Sequence, residues 1–150
     1  MEGFLKDHPE ALTATVSKHG STVLIDAVTA GHPDVVTKLV SRMSEEDLEA
    51  QDEDGYTALA AAAQGGNTKI AKTLVTKNRK LLSIFDKKER RNPLVIASEN
   101  GYEEMTRYLY NQTRIEELKD KVVVDVLNHC ISHGGLFGEY IRERSFFVGE

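Results

Sequence analysis

The sequence predicts an all-α fold, a solenoid in which short helix–turn–helix units stack in a row. The first observation behind this prediction is an internal repeat, because segments 20–40, 55–75 and 91–110 align at a constant offset of 35 residues. The second is that a glycine divides each segment into two apolar patterns of helical period. Such a fixed period indicates units that bury their apolar faces only against their neighbours. The aligned positions are Leu24, Leu59 and Leu94; Ala27, Ala62 and Ala97; Gly31, Gly66 and Gly101; Val35, Ile70 and Met105; and Leu39, Leu74 and Leu109.

The first helix of each unit is predicted to be short and to carry small side chains. A leucine and an alanine three residues apart mark its buried face, and the glycine four residues beyond the alanine ends it. In the middle unit, five alanines surround Leu59. Alanine combines the highest helix propensity with a small side chain, so it allows stacked helices to approach closely.

The second helix of each unit has its own start signal. Pro33 suits the first helical position of the first copy, and Asn67 or Thr68 can cap the helix of the second copy. In the third copy, Glu103 and Glu104 favour the positive N-terminal end of the helix dipole. Each unit is therefore expected to be a helix, a tight turn and a second helix.

One domain is expected to span the whole chain, with three complete repeats between two irregular ends. The repeats are predicted at about 18–50, 51–86 and 87–115. Residues 1–17 are interpreted as the close of a partial N-terminal unit, and residues 116–150 as a divergent C-terminal unit. Terminal units of a solenoid are expected to be atypical because one of their faces meets solvent.

Each unit opens on a short motif. The three openings are "GSTVL" (20–24), "GYTAL" (55–59) and the weaker "RRNPL" (90–94). With the repeat length and the helix–turn–helix plan, this Gly-x-Thr-x-Leu start resembles the ankyrin repeat. The resemblance implies a stack whose finger-like loops and first helices form a concave face that binds other proteins.

The motifs also depart from the ankyrin pattern. Ile25, Ala60 and Val95 stand where the family has a histidine. Arg90 stands where a finger glycine is usual, so the sequence leaves the turn geometry of the third finger open while the fold is unaffected.

The longer sequence segments 8–36 and 43–102 resemble plant ankyrin proteins of the accelerated-cell-death type. The resemblance extends over roughly residues 4–113. In that family the ankyrin part lies in the cytosol and precedes a membrane half, the PGG domain. The resemblance therefore implies a cytoplasmic ankyrin part of a membrane-anchored plant protein connected with defence or stress signalling.

Composition argues against several other classes. The net charge of −5 disfavours nucleic-acid binding, which draws its affinity from clustered Lys and Arg. The single cysteine, Cys130, has no disulfide partner within the chain, and the N-terminus lacks a signal-peptide profile, as expected in the cytosol. No apolar run approaches the roughly 18 residues of a membrane-spanning helix, so no direct membrane insertion is expected.

Charge segregates between two loops. Residues 44–54 hold seven acidic residues and no basic one, whereas residues 77–91 hold seven basic residues and two acidic ones. One interpretation is that these neighbouring segments pair within the chain, and the other is that each docks an oppositely charged partner. Within the acidic segment, Ser44 and Asp47 have the spacing of a capping box that opens a short helix.

Little in the chain suggests catalysis. His129, Cys130 and His133 form a metal-like cluster, but no second Cys/His pair follows, and Cys130 occupies an alanine-equivalent core position. No group is placed to orient Cys130 as a nucleophile. The glycines of residues 134–140 lack the strand and the lysine of a phosphate loop. No metal, cofactor or enzymatic activity is therefore predicted.

Asp26 puts a carboxylate where Ala61 and Ile96 stand in the other repeats. A buried carboxylate needs a partner or a raised pKa. Asp26 is therefore expected to make a local hydrogen bond or to lie at a position left exposed by the incomplete N-terminal repeat, and otherwise to act as a specificity residue.

The candidate binding residues are polar positions that differ between copies and are therefore not maintained by packing. Tyr56 is the strongest candidate, because tyrosine is enriched at interface hot spots; a lone surface aromatic without a role is the alternative. As a surface residue, Tyr56 is expected to tolerate alanine within about 0.5 kcal/mol. The predicted concave-face set is Lys18, His19, Ser21, Thr29, Glu53, Asp54, Tyr56, Gln64, Lys88, Glu89, Arg91, Glu99 and Asn100.

These observations favour a non-catalytic module that binds another protein through its concave face. The alternative is a structural module that forms homo-oligomers by pairing its incomplete ends. An enzyme or metal protein around Cys130 and His133 is the least favoured reading, because no converging groups accompany them.

Overall fold

The computed structural model describes residues 7–114 together with Lys121, Val124 and Asn128. This part contains six α-helices and no strand, which confirms the all-α fold. The helices are α1 (Val23–Thr29), α2 (Pro33–Arg42), α3 (Ala58–Gly65), α4 (Thr68–Lys77), α5 (Pro93–Glu99) and α6 (Glu103–Gln112). Three 3-10 helices accompany them at Pro9–Leu12, Asp47–Glu49 and Arg79–Ser83.

The helices form three helix–turn–helix pairs that stack in chain order. Within each pair the two helices are in contact, and α3 packs between α1 and α5. The second helices form a parallel layer, in which α4 lies between α2 and α6. The core therefore runs between an inner layer of short helices and an outer layer of longer ones.

The repeated apolar positions fill this core. Leu24, Leu59 and Leu94 are all almost completely buried. Ala62 and Ala97 are also buried, as expected for a thin inner layer, while Ala27 in the first copy is only half-buried. The 3-10 helix Pro9–Leu12 packs against α1 and inserts Leu12 into the same core.

Helix starts follow the predicted signals. Pro33 is the first residue of α2, and Glu103 and Glu104 occupy the first turn of α6. Asn67 caps α4, because its side-chain oxygen accepts a hydrogen bond from the Ile70 amide at 3.1 Å. The helix of the second copy therefore uses Asn67 rather than Thr68 as its cap.

The capping box at Ser44 and Asp47 is also present. The Ser44 amide donates to the Asp47 carboxylate at 2.9 Å, and the Asp47 amide donates to the Ser44 hydroxyl at 3.1 Å. These reciprocal bonds open the 3-10 helix Asp47–Glu49.

The turn between α3 and α4 shows why its glycine is needed. Gly66 has φ of 70°, in the left-handed region. A Cβ at Gly66 would lie 2.5 Å from Cδ1 of Tyr102, in the corresponding turn of the next repeat. The tight turn therefore also provides room for the neighbouring unit.

Parts of the predicted ends lie outside the described residues. The N-terminal unit is described from Asp7 onward. The predicted C-terminal unit, with His129, Cys130, His133 and the glycines of 134–140, is described only at three isolated positions. The division of the chain into repeats at the stated boundaries stays a prediction.

Candidate functional site

Three finger loops precede the inner helices and are joined to one another through the backbone. Each finger is closed by one amide-to-carbonyl hydrogen bond of 2.8–3.0 Å, and single bonds of 3.0 Å connect neighbouring fingers. The closing bonds run from Val16 to Ser21, from Asp52 to Tyr56 and from Asp86 to Arg91; the connecting bonds run from Glu53 to His19 and from Lys87 to Asp54. The fingers therefore form one continuous row beside the N-termini of α1, α3 and α5.

Gly55 permits the close contact between the second and third fingers. Its φ is 87°, and a Cβ at this position would lie 2.6 Å from the Lys87 backbone nitrogen. Any larger residue would therefore push the two fingers apart.

The third finger keeps the turn of the other fingers, although Arg90 stands in place of their glycine. Its closing bond, from Asp86 to Arg91, has the same spacing as the bond from Val16 to Ser21 in the first finger. Arg90 adopts φ of 58°, a left-handed conformation that non-glycine residues rarely take. The loop therefore keeps the glycine-like backbone without the glycine.

Asp86 holds this turn together. Its side chain is 1% exposed, and one carboxylate oxygen accepts from the Glu89 amide at 2.8 Å and the Arg90 amide at 2.9 Å. The other oxygen accepts from Nε of Arg91 at 2.9 Å. Burial alone would raise the pKa of Asp86, but the backbone bond from Glu89 and the bond and charge of Arg91 outweigh it and hold that pKa below its ordinary value.

Arg91 connects the third finger to the second finger and to α5. One terminal nitrogen donates to the Tyr56 hydroxyl at 2.8 Å, and the other lies 2.9 Å from the Glu99 carboxylate and 3.2 Å from that of Glu89. Burial acts to lower the pKa of Arg91, yet the bonds to Glu99 and Asp86 raise it above its ordinary value. The guanidinium is therefore a fixed positive charge.

Tyr56 is not the freely exposed residue that the sequence suggested. It is half-buried, packs against the edge of the core and has its hydroxyl bound to Arg91. The expectation that alanine here costs less than about 0.5 kcal/mol assumed a surface residue, and the half-buried Tyr56 does not meet that assumption.

Most of the other predicted concave-face residues are exposed. Asp54 and Arg91 are half-buried, and Ser21 is buried because only 8% of its surface is exposed. The exposed residues of the set are Lys18, His19, Thr29, Glu53, Gln64, Lys88, Glu89, Glu99 and Asn100. Ser21 therefore offers little contact area, which corrects its place in the set.

The Ser21 hydroxyl donates to the Asp26 carboxylate at 2.5 Å. Asp26 itself is exposed. The structure thus has both the local hydrogen bond and the exposed position, the two alternatives to a specificity role for Asp26.

The acidic segment 44–54 and the basic segment 77–91 form few ion pairs with each other among the described residues. One described ion pair crosses between them, from Lys88 to Asp54 at 2.6 Å, with Lys88 largely exposed and Asp54 half-buried. The hydrogen bond and charge of Asp54 raise the pKa of Lys88. An exposed pair of this kind adds little stability.

A buried amide links the same loops more firmly. Asn78 is 2% exposed, and its side-chain nitrogen donates to the Glu45 carbonyl oxygen at 2.8 Å and the Glu49 carboxylate at 2.9 Å. Its side-chain oxygen accepts from the Lys80 amide at 2.9 Å. Sequence reasoning missed both Asn78 and Asp86, since each is one polar residue inside a segment dominated by lysine and arginine.

Nothing in the part of the chain that the structure describes groups three His, Cys, Asp or Glu side chains in a way that suits a metal ion. In the same residues, none of the helices has the length and apolarity needed to cross a bilayer. The predicted cluster around Cys130 falls outside this part.

Residues 24–120, more than half of the chain, match the family model for ankyrin repeats, with three copies. The chain belongs to the ankyrin-repeat family. Ankyrin repeats are generally non-enzymatic modules for protein–protein interaction. A search of curated proteins finds no significant match.

Proposed function

We propose that this ankyrin domain binds another protein through the concave face formed by its fingers and the finger-side surface of α1, α3 and α5. The observation that carries the proposal is the contrast between backbone and side chains along the finger row. The backbone is tied from finger to finger, whereas equivalent exposed side chains differ in charge from copy to copy. A fixed surface with side chains that packing does not dictate is suited to recognition of one partner.

Two sets of equivalent positions illustrate this contrast. The first set reads Lys18, Glu53 and Lys88, and the second reads Thr29, Gln64 and Glu99. All six residues are exposed.

The Arg91 cluster supports the same proposal. Arg91 holds Tyr56 and Glu99 in fixed positions across two repeats, so less side-chain freedom is lost when a partner binds. We therefore assign Tyr56 a positioning role as well as a contact role.

We further propose that the parent protein is a membrane-anchored plant signalling protein of defence or stress, with this domain in the cytosol. The support is the resemblance to plant ankyrin proteins of the accelerated-cell-death type.

The test is a pull-down from plant extract with wild type and two matched variants. Gln64→Arg places a long cation on the proposed concave face, and Thr76→Arg places the same side chain on the exposed surface of α4. Both positions are exposed, so both variants are expected to fold. Proteins captured by wild type and by Thr76→Arg but lost with Gln64→Arg support the proposal, whereas captures that ignore Gln64→Arg contradict it.

Self-association is the second candidate. The observation that favours it is apolar surface at the N-terminal end of the described stack, where Val16 is 52% exposed and Val23, Ala27 and Val35 are only partly buried. Light-scattering mass across a concentration series decides between the two. A constant monomer mass favours partner binding, and a mass that rises with concentration favours self-association.

A further inference from the structure

A surface cavity of about 260 Å³ lies outside the concave face. It is lined by residues of the 3-10 helix Arg79–Ser83, which follows α4, and by residues 112–114 at the end of α6. None of the predicted concave-face residues lines it. Its position at the junction of two repeats makes it a separate feature of the surface.

Among the described residues that line the cavity, three are cations and none is an acid. Arg79, Lys80 and Arg114 contribute the positive charges, and Ser83 and Gln112 contribute polar groups. The chain as a whole carries a net charge of −5. The cavity is therefore a local positive site on an acidic protein.

Arg79 is held in place by neutral groups. One of its terminal nitrogens donates to the side-chain oxygen of Gln112 at 3.1 Å, and the other donates to the Gln112 backbone carbonyl at 2.6 Å. No carboxylate among the described residues pairs with Arg79 or Lys80. The guanidinium is thus oriented while its charge stays unneutralised by these residues.

The positive charge is not a requirement of the repeat. The corresponding loop after α2 carries Glu45, Glu46 and Asp47 instead of Arg79 and Lys80, yet it forms a 3-10 helix of its own at Asp47–Glu49. Both loops bury an apolar residue, Leu48 in one and Leu82 in the other. The cations can therefore be explained by what they bind rather than by how the unit packs.

We propose that this cavity binds one oxyanion group, a carboxylate or a phosphate. Guanidinium groups match the geometry of both oxyanions and form charge-assisted hydrogen bonds with them. Ser83 is exposed and adds a hydroxyl donor. The volume falls below the roughly 300–1,000 Å³ of ordinary small-molecule sites, which suits a single anionic group rather than a nucleotide.

The test titrates the ¹⁵N-labelled domain with inorganic phosphate and, separately, with a short glutamate–glycine peptide and its glutamine counterpart. Saturable shifts of the backbone amides of residues 79–83 report binding, and they are expected to weaken with added salt. Lys80→Glu is expected to weaken binding about tenfold, since it removes one charge-assisted contact and adds a repulsive one. Lys69→Glu makes the same charge change on the exposed surface of α4 and is expected to alter binding less than about twofold.

Each outcome decides one point. Binding of the glutamate peptide but not the glutamine peptide, with phosphate as a competitor, supports an oxyanion carried on a protein segment. Binding of phosphate without the glutamate peptide supports a free anion as the ligand. The proposal is overturned if neither probe produces a saturable shift, or if Lys80→Glu and Lys69→Glu weaken binding equally. Because Lys80 is exposed, loss of the fold is not expected, and circular dichroism checks this.

Discussion

Asn92 caps α5 but leaves one buried group unpaired. Its side-chain oxygen accepts from the Val95 amide at 3.0 Å, while its side-chain nitrogen has no hydrogen-bond partner among the described residues and the residue is 0% exposed. Thr22 and Thr57 occupy the equivalent positions and cap with a hydroxyl oxygen. Asparagine therefore keeps the cap but adds a donor with no acceptor.

Replacing Asn92 by threonine is expected to raise the free energy of unfolding by about 1 kcal/mol, because it removes the unpaired donor and keeps a capping oxygen. Urea denaturation measures the change. The reciprocal substitution, Thr57→Asn, serves as the control and is expected to lower stability by a similar amount. A lower denaturation midpoint for Asn92→Thr would show that the asparagine nitrogen is satisfied in solution.

Asp86 links stability to pH. Its ordinary pKa of 3.8 is lowered in the folded protein, so its contribution is fully present above about pH 4 and is lost as pH falls through the lower folded value. Asp86→Asn is expected to cost about 2 kcal/mol at pH 7, since the turn amides and Arg91 lose a charged acceptor. Denaturation curves for wild type and variant should converge as pH falls through the lowered pKa of Asp86 in the folded protein.

Asp52→Asn is the matched control, because Asp52 closes the second finger but accepts only the Tyr56 amide among its described side-chain bonds. A smaller loss is expected there. Equal losses for the two variants would contradict the special role given to Asp86.

Tyr56 marks the limit of what the sequence predicts for single side chains. Its place beside the finger was predicted, but its half-burial follows from Arg91, which is 35 residues away and reaches it from the next finger. The buried state of Ser21 likewise depends on neighbouring groups. Repeat periodicity assigns a position to each side chain, but it does not assign a partner.

The alanine-rich helix α3 is the element most tightly confined by the stack. It packs between α1 and α5, and Ala62 and Ala63 are almost completely buried. The offset of 35 predicted this helix and its terminal glycine, because those features are local. The third finger was only partly predictable, since Arg90 takes the left-handed conformation of the finger glycines and the support that this turn receives from the buried Asp86 carboxylate has no signal in the repeat pattern.

Ala62→Leu is expected to lower stability by about 1–3 kcal/mol, because added methylene groups must displace a neighbouring helix. Ala61 lies on the same helix but is half-buried, so Ala61→Leu is expected to cost less. Thermal denaturation of both variants provides the measurement. Equal stability of Ala62→Leu and Ala61→Leu would mean that the layer of first helices can accommodate a larger side chain at Ala62.

The described stack holds together mainly through contacts between successive units. The central leucine, Leu59, is 0% exposed and lies in the unit that touches both neighbours. The three-repeat plan was predictable because it depends on periodicity alone, whereas the cation-lined cavity was not, since it requires two loops from different repeats to be brought together.

Leu59→Ala is expected to cost about 2–5 kcal/mol and to broaden the unfolding transition, because a weakened central unit uncouples the units on either side. Val16→Ala, at a position 52% exposed, is the control and is expected to stay within about 0.5 kcal/mol of wild type. A transition that stays as sharp as that of wild type would contradict the uncoupling.

Stacking between successive units also bears on how the protein is made. The principal contacts of every described helix join residues of the same or the adjoining unit. Each described helix can therefore form these contacts before units further along the chain are synthesised. Domains dominated by such local contacts fold quickly, and chains leave the ribosome from the N-terminus at a limited rate. We expect the first unit to dock as soon as the second emerges, with each later unit closing onto a surface that is already formed.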